Sequence, residues 1–221
     1  LSAIVHGDEA MQRQREAIAE LRAEARELAA KLHALRVKAA GDVSKSIVHT
    51  LAALGMPEAR FEVEVTDAGE LMPSGGDRIR FMFTANGRMA PQPVEKVASG
   101  GEISRVMLAL KALLAVRSKL PAIIFDEIDT GVSGRIADAM GDIICALSAT
   151  MQVIDITHLP QVASKGSTHM VVYESDGRTN VRRLSAKERI DEIAKMLSGS
   201  TITDAAREQA CILLDNHQRL F

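Results

Sequence analysis

Apolar residues at Ile18, Leu21, Ala25, Leu28, Leu32 and Leu35 recur at alternating steps of three and four, with Glu, Arg and Lys between them. An apolar repeat of this period flanked by charge predicts a coiled-coil seam. The stripe reaches back weakly to Met11 and Ile4, but Gly7 and Gln14 occupy seam positions, so the continuous helix is expected from about Asp8. No second long heptad run exists in the chain to pair with it. Two readings stay open: one strand of a severed antiparallel coiled coil, favoured by the narrow stripe and dense flanking charge, or a single amphipathic helix packed on a domain.

Beyond Gly41, the spacing of Val43, Ile47, Leu51 and Leu54 predicts a second helix, ending at Gly55-Met56-Pro57, where proline cannot continue the ladder. Residues 1–40 are therefore expected to be a coiled-coil helix and 41–221 a globular lobe. Alternation at Phe61, Val63 and Val65 and at Ile79, Phe81 and Phe83, across the turn Pro73-Ser74-Gly75-Gly76, predicts two antiparallel strands. A long helix follows from about 101 to 116, with Ile103, Val106, Met107, Leu110, Leu113 and Leu114 on its buried side. A buried strand at 122–125, a helix around 136–147 and a strand at 152–156 then make a crossover unit, which predicts a parallel sheet covered by helices. Residues 169–174 and 180–184, joined through Asp176-Gly177, read as a hairpin. Two closing helices are expected near 186–197 and 203–220. The fold class is α/β, with antiparallel strands added.

Composition narrows the possibilities. Aromatic residues are only 3% of the 221 residues, with no Trp, so an aliphatic core is expected and single-strand binding on stacked rings is disfavoured. A formal net charge of -2 lacks the broad basic footprint of a self-sufficient nucleic-acid binder. Cys145 and Cys211 sit in apolar helical patterns without metal-ligand spacing, which suits free thiols in a reducing compartment. No apolar run is long enough to span a membrane and no signal peptide is recognisable. The chain opens on Leu1, not Met, which suggests an excerpt of a longer protein.

Three segments carry candidate chemistry. Val97-Ala98-Ser99-Gly100-Gly101-Glu102-Ile103-Ser104-Arg105 sets a serine and two glycines at the start of a strong helix, where free N–H groups and the positive helix end can meet an anion. The same residues also fit an ordinary capping box of Ser99 with Glu102. Arg105 reads as a surface salt-bridge residue, with a relay toward the coiled coil as the alternative. Leu120-Pro121-Ala122-Ile123-Ile124-Phe125-Asp126-Glu127 is an apolar strand ending in two carboxylates, and the carboxyl end of a parallel strand is where open α/β sheets bind ligands. There the first acid can help hold Mg²⁺ while the second polarises a water, and a cation would offset their repulsion. Ile154-Asp155-Ile156-Thr157-His158 ends a second strand in a histidine able to sense a γ-phosphate, although a lone histidine at such a place is more often structural.

Order and spacing together give the resemblance. Ser99-Gly100-Gly101-Glu102 looks like the ABC signature, Ile123 to Glu127 like Walker B, Asp129 onward like the D-loop, and His158 like the switch histidine. The wording of Val97 to Glu102, of Ile124-Phe125-Asp126-Glu127-Ile128-Asp129-Thr130-Gly131-Val132-Ser133-Gly134 and of Thr157-His158-Leu159-Pro160-Gln161-Val162-Ala163 most resembles the RecN family. Glu102 replaces the Gln usual in transporter domains. Ala98 stands where many ABC proteins have Leu, and Asp155 puts a carboxylate in a normally apolar strand, at a sheet edge or beside a basic partner.

This resemblance implies the C-terminal lobe of an ABC/SMC-type ATPase head. Glu127 and His158 would be catalytic, Asp126 a metal residue, and Ser99, Gly100, Gly101, Glu102 and Asp129 nucleotide-contacting. It implies ATP and Mg²⁺ as cofactors, and a bacterial cytoplasmic, nucleoid-associated protein acting in recombinational repair of double-strand breaks. Its partners would be an N-terminal lobe of the same protein, a second head in an ATP-dependent homodimer, and DNA. No Gly-x-x-x-x-Gly-Lys-Ser/Thr occurs in the chain, so it is expected to be inactive alone. A head of another SMC-type protein or a non-enzymatic coiled-coil adaptor are the alternatives.

Overall fold

The computed structural model describes residues 2–97, 99–199 and 201–218, with side chains for 10–97, 99–199 and 201–215. Ala98, Ile4 as a seam side chain, and the expected end of the last helix at Leu220 lie outside them. The chain forms two compact units, residues 1–48 with 58–97, and residues 49–57 with 98–221.

In the first unit, helix α1, Ser2–Ala53, runs unbroken for 52 residues, so it begins before Asp8 and the helix expected after Gly41 is its continuation. One interior glycine costs a helix only about 1 kcal/mol. Here Ile47 and Leu51, both fully buried, more than offset it. Along the seam Ile18, Leu21, Leu28 and Leu35 are half exposed or more. Strand β1, Arg60–Met72, pairs antiparallel with β2, Gly75–Thr84, and β2 with the short β3, Gln92–Pro93. Phe61 faces Phe83 across the hairpin and stacks on Phe81 at 5.7 Å. The hairpin is tied to α1 by Asp77, whose carboxylate takes Nδ1 of His33 at 2.7 Å and Nη1 of Arg36 at 3.0 Å. His33 first and Arg36 second hold that acid below the usual carboxylate range.

In the second unit α1 ends in a paired-bond cap: Gly55 N–H reaches Ala52 O at 3.1 Å and Met56 N–H reaches Leu51 O at 2.9 Å. Gly55 supplies the required φ of +80°. Helix α2, Gly100–Ser118, leads through the left-handed Lys119 to β4, Ala122–Asp126. Helix α3, Gly134–Leu147, then carries the chain to β5, Gln152–Ile156, which pairs parallel with β4 in register. Helix α4, Pro160–Ala163, hairpin β6, Met170–Ser175, with β7, Arg178–Arg183, and helices α5, Ala186–Ser198, and α6, Asp204–Gln218, complete it. The core gathers Leu54, Leu108, Ala115, Phe125, Met140, Ile144, Leu147 and Val162.

Three sequence expectations change. Leu114 is 59% exposed, while Leu108, Ala109 and Ala115 are buried. Helix α2 is apolar nearly all round, so periodicity could not select its face. The β4 strand is buried on one side only: Phe125 is 0% exposed, but Ile124 is 60%. On β5, Ile154 and Ile156 are likewise open on the side away from Phe125. Phe61, Phe83 and Phe125 are buried, so the core is not purely aliphatic.

Gly41 lies in the helix with no atom within 4 Å of an added Cβ. Gly41→Ala should therefore stabilise α1 by roughly 0.5–1 kcal/mol. Urea unfolding followed by helical circular dichroism checks this; destabilisation would mean that a bend at residue 41 is required.

Candidate functional site

The pairing of β4 with β5 continues one residue past the strand: Glu127 N–H donates to Ile156 O at 3.0 Å. Asp126 is thereby paired with Ile156, and Glu127 follows it where Thr157 and His158 leave the neighbouring strand, at the carboxyl ends of adjacent parallel strands. Asp126, Glu127 and His158 are all exposed. Glu127 adopts φ +47°, a left-handed conformation uncommon for a residue with a side chain. No sequence signal announces it.

The loop after Glu127 is stitched back on itself. The Glu127 carbonyl accepts from Thr130 N–H at 3.1 Å and from Thr130 Oγ1 at 2.8 Å. Asp129 turns inward, 1% exposed, and its Oδ2 accepts from the Thr157 hydroxyl. Thr157 Oγ1 accepts in turn from Leu159 N–H at 2.9 Å. Thr157, which sequence reasoning passed over, thus fastens the loop to the exit of β5; a hydroxyl beside the histidine was the available clue.

Asp155 has one of the two surroundings expected for it: among the described residues β5 is an edge strand of the two-stranded β4-β5 sheet, but no basic residue pairs with the carboxylate. On the Phe125 side of the sheet, its two carboxylate oxygens are buried without a hydrogen-bond partner among the described residues, as is Asp129 Oδ1. Burial, then repulsion from Asp129, pushes Asp155 up to about 7.

Ser99 is the N-cap of α2, yet its side chain makes no capping bond. The capping-box alternative is absent here, whereas Ser185 and Glu188 form a complete box on α5. The Ser99 hydroxyl is left exposed beside Gly100, where an added Cβ would meet nothing within 4 Å. Gly101 is different: its Cβ would lie 2.7 Å from the carbonyl oxygen of Gly131. Gly131 itself has φ +81°. The second glycine of the Ser99-Gly100-Gly101 turn therefore lets two backbones touch, and Ser104 Oγ adds a 3.4 Å bond to Thr130 O. Glu102 is partly buried in the same turn. Arg105 is not a surface ion-pair residue: partly buried, it donates from Nε to Gly101 O at 2.8 Å and from Nη1 to Leu54 O at 3.2 Å.

No three His, Cys, Asp or Glu side chains among the described residues group to hold a metal ion. An exposed Asp126 with Glu127 beside it suits Mg²⁺, which takes one or two carboxylates and keeps waters and substrate phosphates for its other positions. No helix among the described residues is long and apolar enough to cross a membrane.

No protein-family model matches the chain. It is 43% identical over 192 residues to a DNA repair protein RecN of Rickettsia felis, covering 85% of this chain and 35% of that protein. It is 37% identical over 223 residues to that of Halalkalibacterium halodurans, covering 97% and 40%. For Mycobacterium leprae RecN the identity is 39% over 218 residues, covering 89% and 37%. The chain thus spans 35–40% of the length of these relatives. Among solved structures, an Smc head domain with a coiled coil and joint from Pyrococcus yayanosii matches with a TM-score of 0.60 at 20% identity, over 74% of this chain and 30% of that one. An SMC ATPase from work on ATP-driven dimerization matches at 0.57 and 20% identity, over 76% of this chain and 99% of that one. The fold is an α/β lobe of the SMC/ABC ATPase type.

Two outcomes follow for folding. Gly101→Ala should cost roughly 1–3 kcal/mol by driving the two backbones apart, whereas Gly100→Ala should stay within about 0.5 kcal/mol of the parent; equal urea midpoints would contradict the close contact. An acid whose folded pKa lies above its unfolded value carries no penalty where both states are protonated, below about pH 4, and the full penalty above about 7. Stability should therefore fall between those limits, and Asp155→Val should flatten the profile and gain up to about 4 kcal/mol at pH 8. An unchanged pH slope in denaturant titrations would remove Asp155 as its source.

Proposed function

We propose that this chain, which belongs to the RecN family, is the part of a DNA-repair ATPase head that supplies the signature, the strand-end acids and the switch histidine. The observation that supports the reading is the parallel register of β4 with β5, which brings Asp126 and Glu127 to the same end of the sheet as the strand that leads into His158. Its support from relatives is the RecN similarity over most of the chain. Repair of double-strand breaks, by bridging or holding DNA ends in the bacterial cytoplasm at the nucleoid, is the cellular role this implies.

The residues divide the work. The Glu127 carboxylate accepts a proton from water as the water oxygen bonds to the γ-phosphorus, and ADP departs with the electron pair of the bridging oxygen. The left-handed backbone at Glu127 aims that side chain independently of the strand. His158 donates an N–H to a γ-phosphate oxygen. Asp126 would hold Mg²⁺, which supplies neutralisation of phosphate charge when bound. The phosphate loop itself must come from an N-terminal lobe of the same protein. Ser99 and the open Gly100 would meet the γ-phosphate held by a second head, so ATP joins two heads and hydrolysis releases them. The exposed seam of α1 would pair with a second coiled-coil helix that leads to the N-terminal lobe.

In a protein where that lobe accompanies this chain, Glu127→Gln should keep ATP-dependent dimers in light scattering while turnover falls by ~10²–10⁴-fold. Turnover at the parent rate would remove Glu127 as the base. Absence of any Mg²⁺-dependent ATPase from the parent would favour an adaptor.

A further inference from the structure

We infer that Arg105 is a positioning residue that couples engagement of the signature turn to the end of the long helix α1. This rests on the head-pairing role proposed above. Its guanidinium bridges two carbonyls from distant parts of the sequence: Gly101 O in the signature turn at 2.8 Å and Leu54 O at the end of α1 at 3.2 Å. The α1 cap uses the carbonyls of Leu51 and Ala52 for its own bonds. The Leu54 carbonyl lies just beyond them, and Arg105 takes it.

The joint has little freedom to absorb a displacement. Leu54 is fully buried in the same core as Leu108 of α2, and an added Cβ at Gly55 would touch Ile136 at 3.3 Å. On the other side Gly101 abuts the Gly131 backbone, so the peptide that Arg105 grips cannot slide toward the loop. An anion drawn onto Ser99 and Gly100 pulls on a turn whose next carbonyl is fastened to α1. A cationic donor holding both carbonyls is also stronger than a neutral bond, because the charge enhances each contact. Arg is required for the geometry: a Lys ammonium has no fork with which to hold two carbonyls at once from different nitrogens.

The test is hydrogen exchange on the protein carrying its phosphate-binding lobe, with and without ATP, in the Glu127→Gln background that holds heads together. The parent should show exchange slowed by ~5-fold or more at residues 50–56 as well as at 99–103 when heads pair. Arg105→Gln, and Arg105→Lys if the first variant folds poorly, should retain ATP-dependent dimers and protection at 99–103 but lose the change at 50–56. A purely structural arginine would loosen 50–56 equally with and without ATP and leave the ATP-dependent difference in place, which would overturn the coupling. So would a parent that pairs without any change at 50–56. Failure of the parent to pair at all, read by light scattering, would instead strike the head-pairing role.

Discussion

Parallel pairing of two five-residue strands governs most of the second unit. Parallel neighbours cannot be joined by a tight turn, so the chain between β4 and β5 must travel the length of the sheet, and α3 is that return path. Its apolar face of Ala137, Met140, Ile144 and Leu147 is buried for the same reason. Register then decides which side chains face inward. A slip of one residue would turn Phe125 outward and Ile124 into the core, and would also move Asp126 away from the end of β5. Burial of one phenylalanine and alignment of Asp126 with the end of β5 are therefore a single constraint. Mutations deep in the core at Phe125 would be felt at the strand ends, although the ring itself touches no reacting group.

A second constraint acts at the signature turn, where adjacent glycines have different physical reasons to lack a side chain. Gly100 leaves space in front of the helix end, where an anion can approach the N–H groups. Gly101 leaves none, because backbone of the Gly131 loop already fills it. A sequence match treats the two glycines alike; the packing does not. The loop containing Gly131 begins at Glu127, so the anion-facing turn and the strand-end acid are linked through a few residues of well-bonded backbone.

Much of this was legible in the residues. The hairpin around residue 74, the parallel crossover and the closing helices follow from period and turn chemistry, and their bounds shift by only a few residues. The candidate residues were read from acids and a histidine that follow apolar strands, and the two strands pair parallel in register. Apart from Thr157, what escaped had no local signal. The helix continues through Gly41 because burial of Ile47 and Leu51 lies further on, and the buried face of α2 depends on neighbours elsewhere in the chain. Arg105 looked like a surface cation because its acceptors are main-chain carbonyls, which leave no mark in sequence. Asp129 read as a nucleotide contact, whereas its carboxylate is folded inward onto Thr157.

The uneven satisfaction of local rules is itself informative. Two terminations are complete: Ser185 and Glu188 form a full capping box, and Gly55 a doubly bonded helix end. Elsewhere the same chain leaves Ser99 at the start of α2 without a side-chain capping bond, Glu127 in a left-handed conformation just after β4, and carboxylate oxygens of Asp129 and Asp155 buried without partners among the described residues. Each departure opposes folding, and natural sequences tolerate such departures chiefly where function requires them. Under the proposed function the requirement at Ser99 and Glu127 would be a ligand, since a capped serine or a strand-bound glutamate would be turned to structural use. Asp155 fits less directly: its carboxylate is buried without a hydrogen-bond partner among the described residues and is repelled by Asp129, so it raises the cost of folding the second strand.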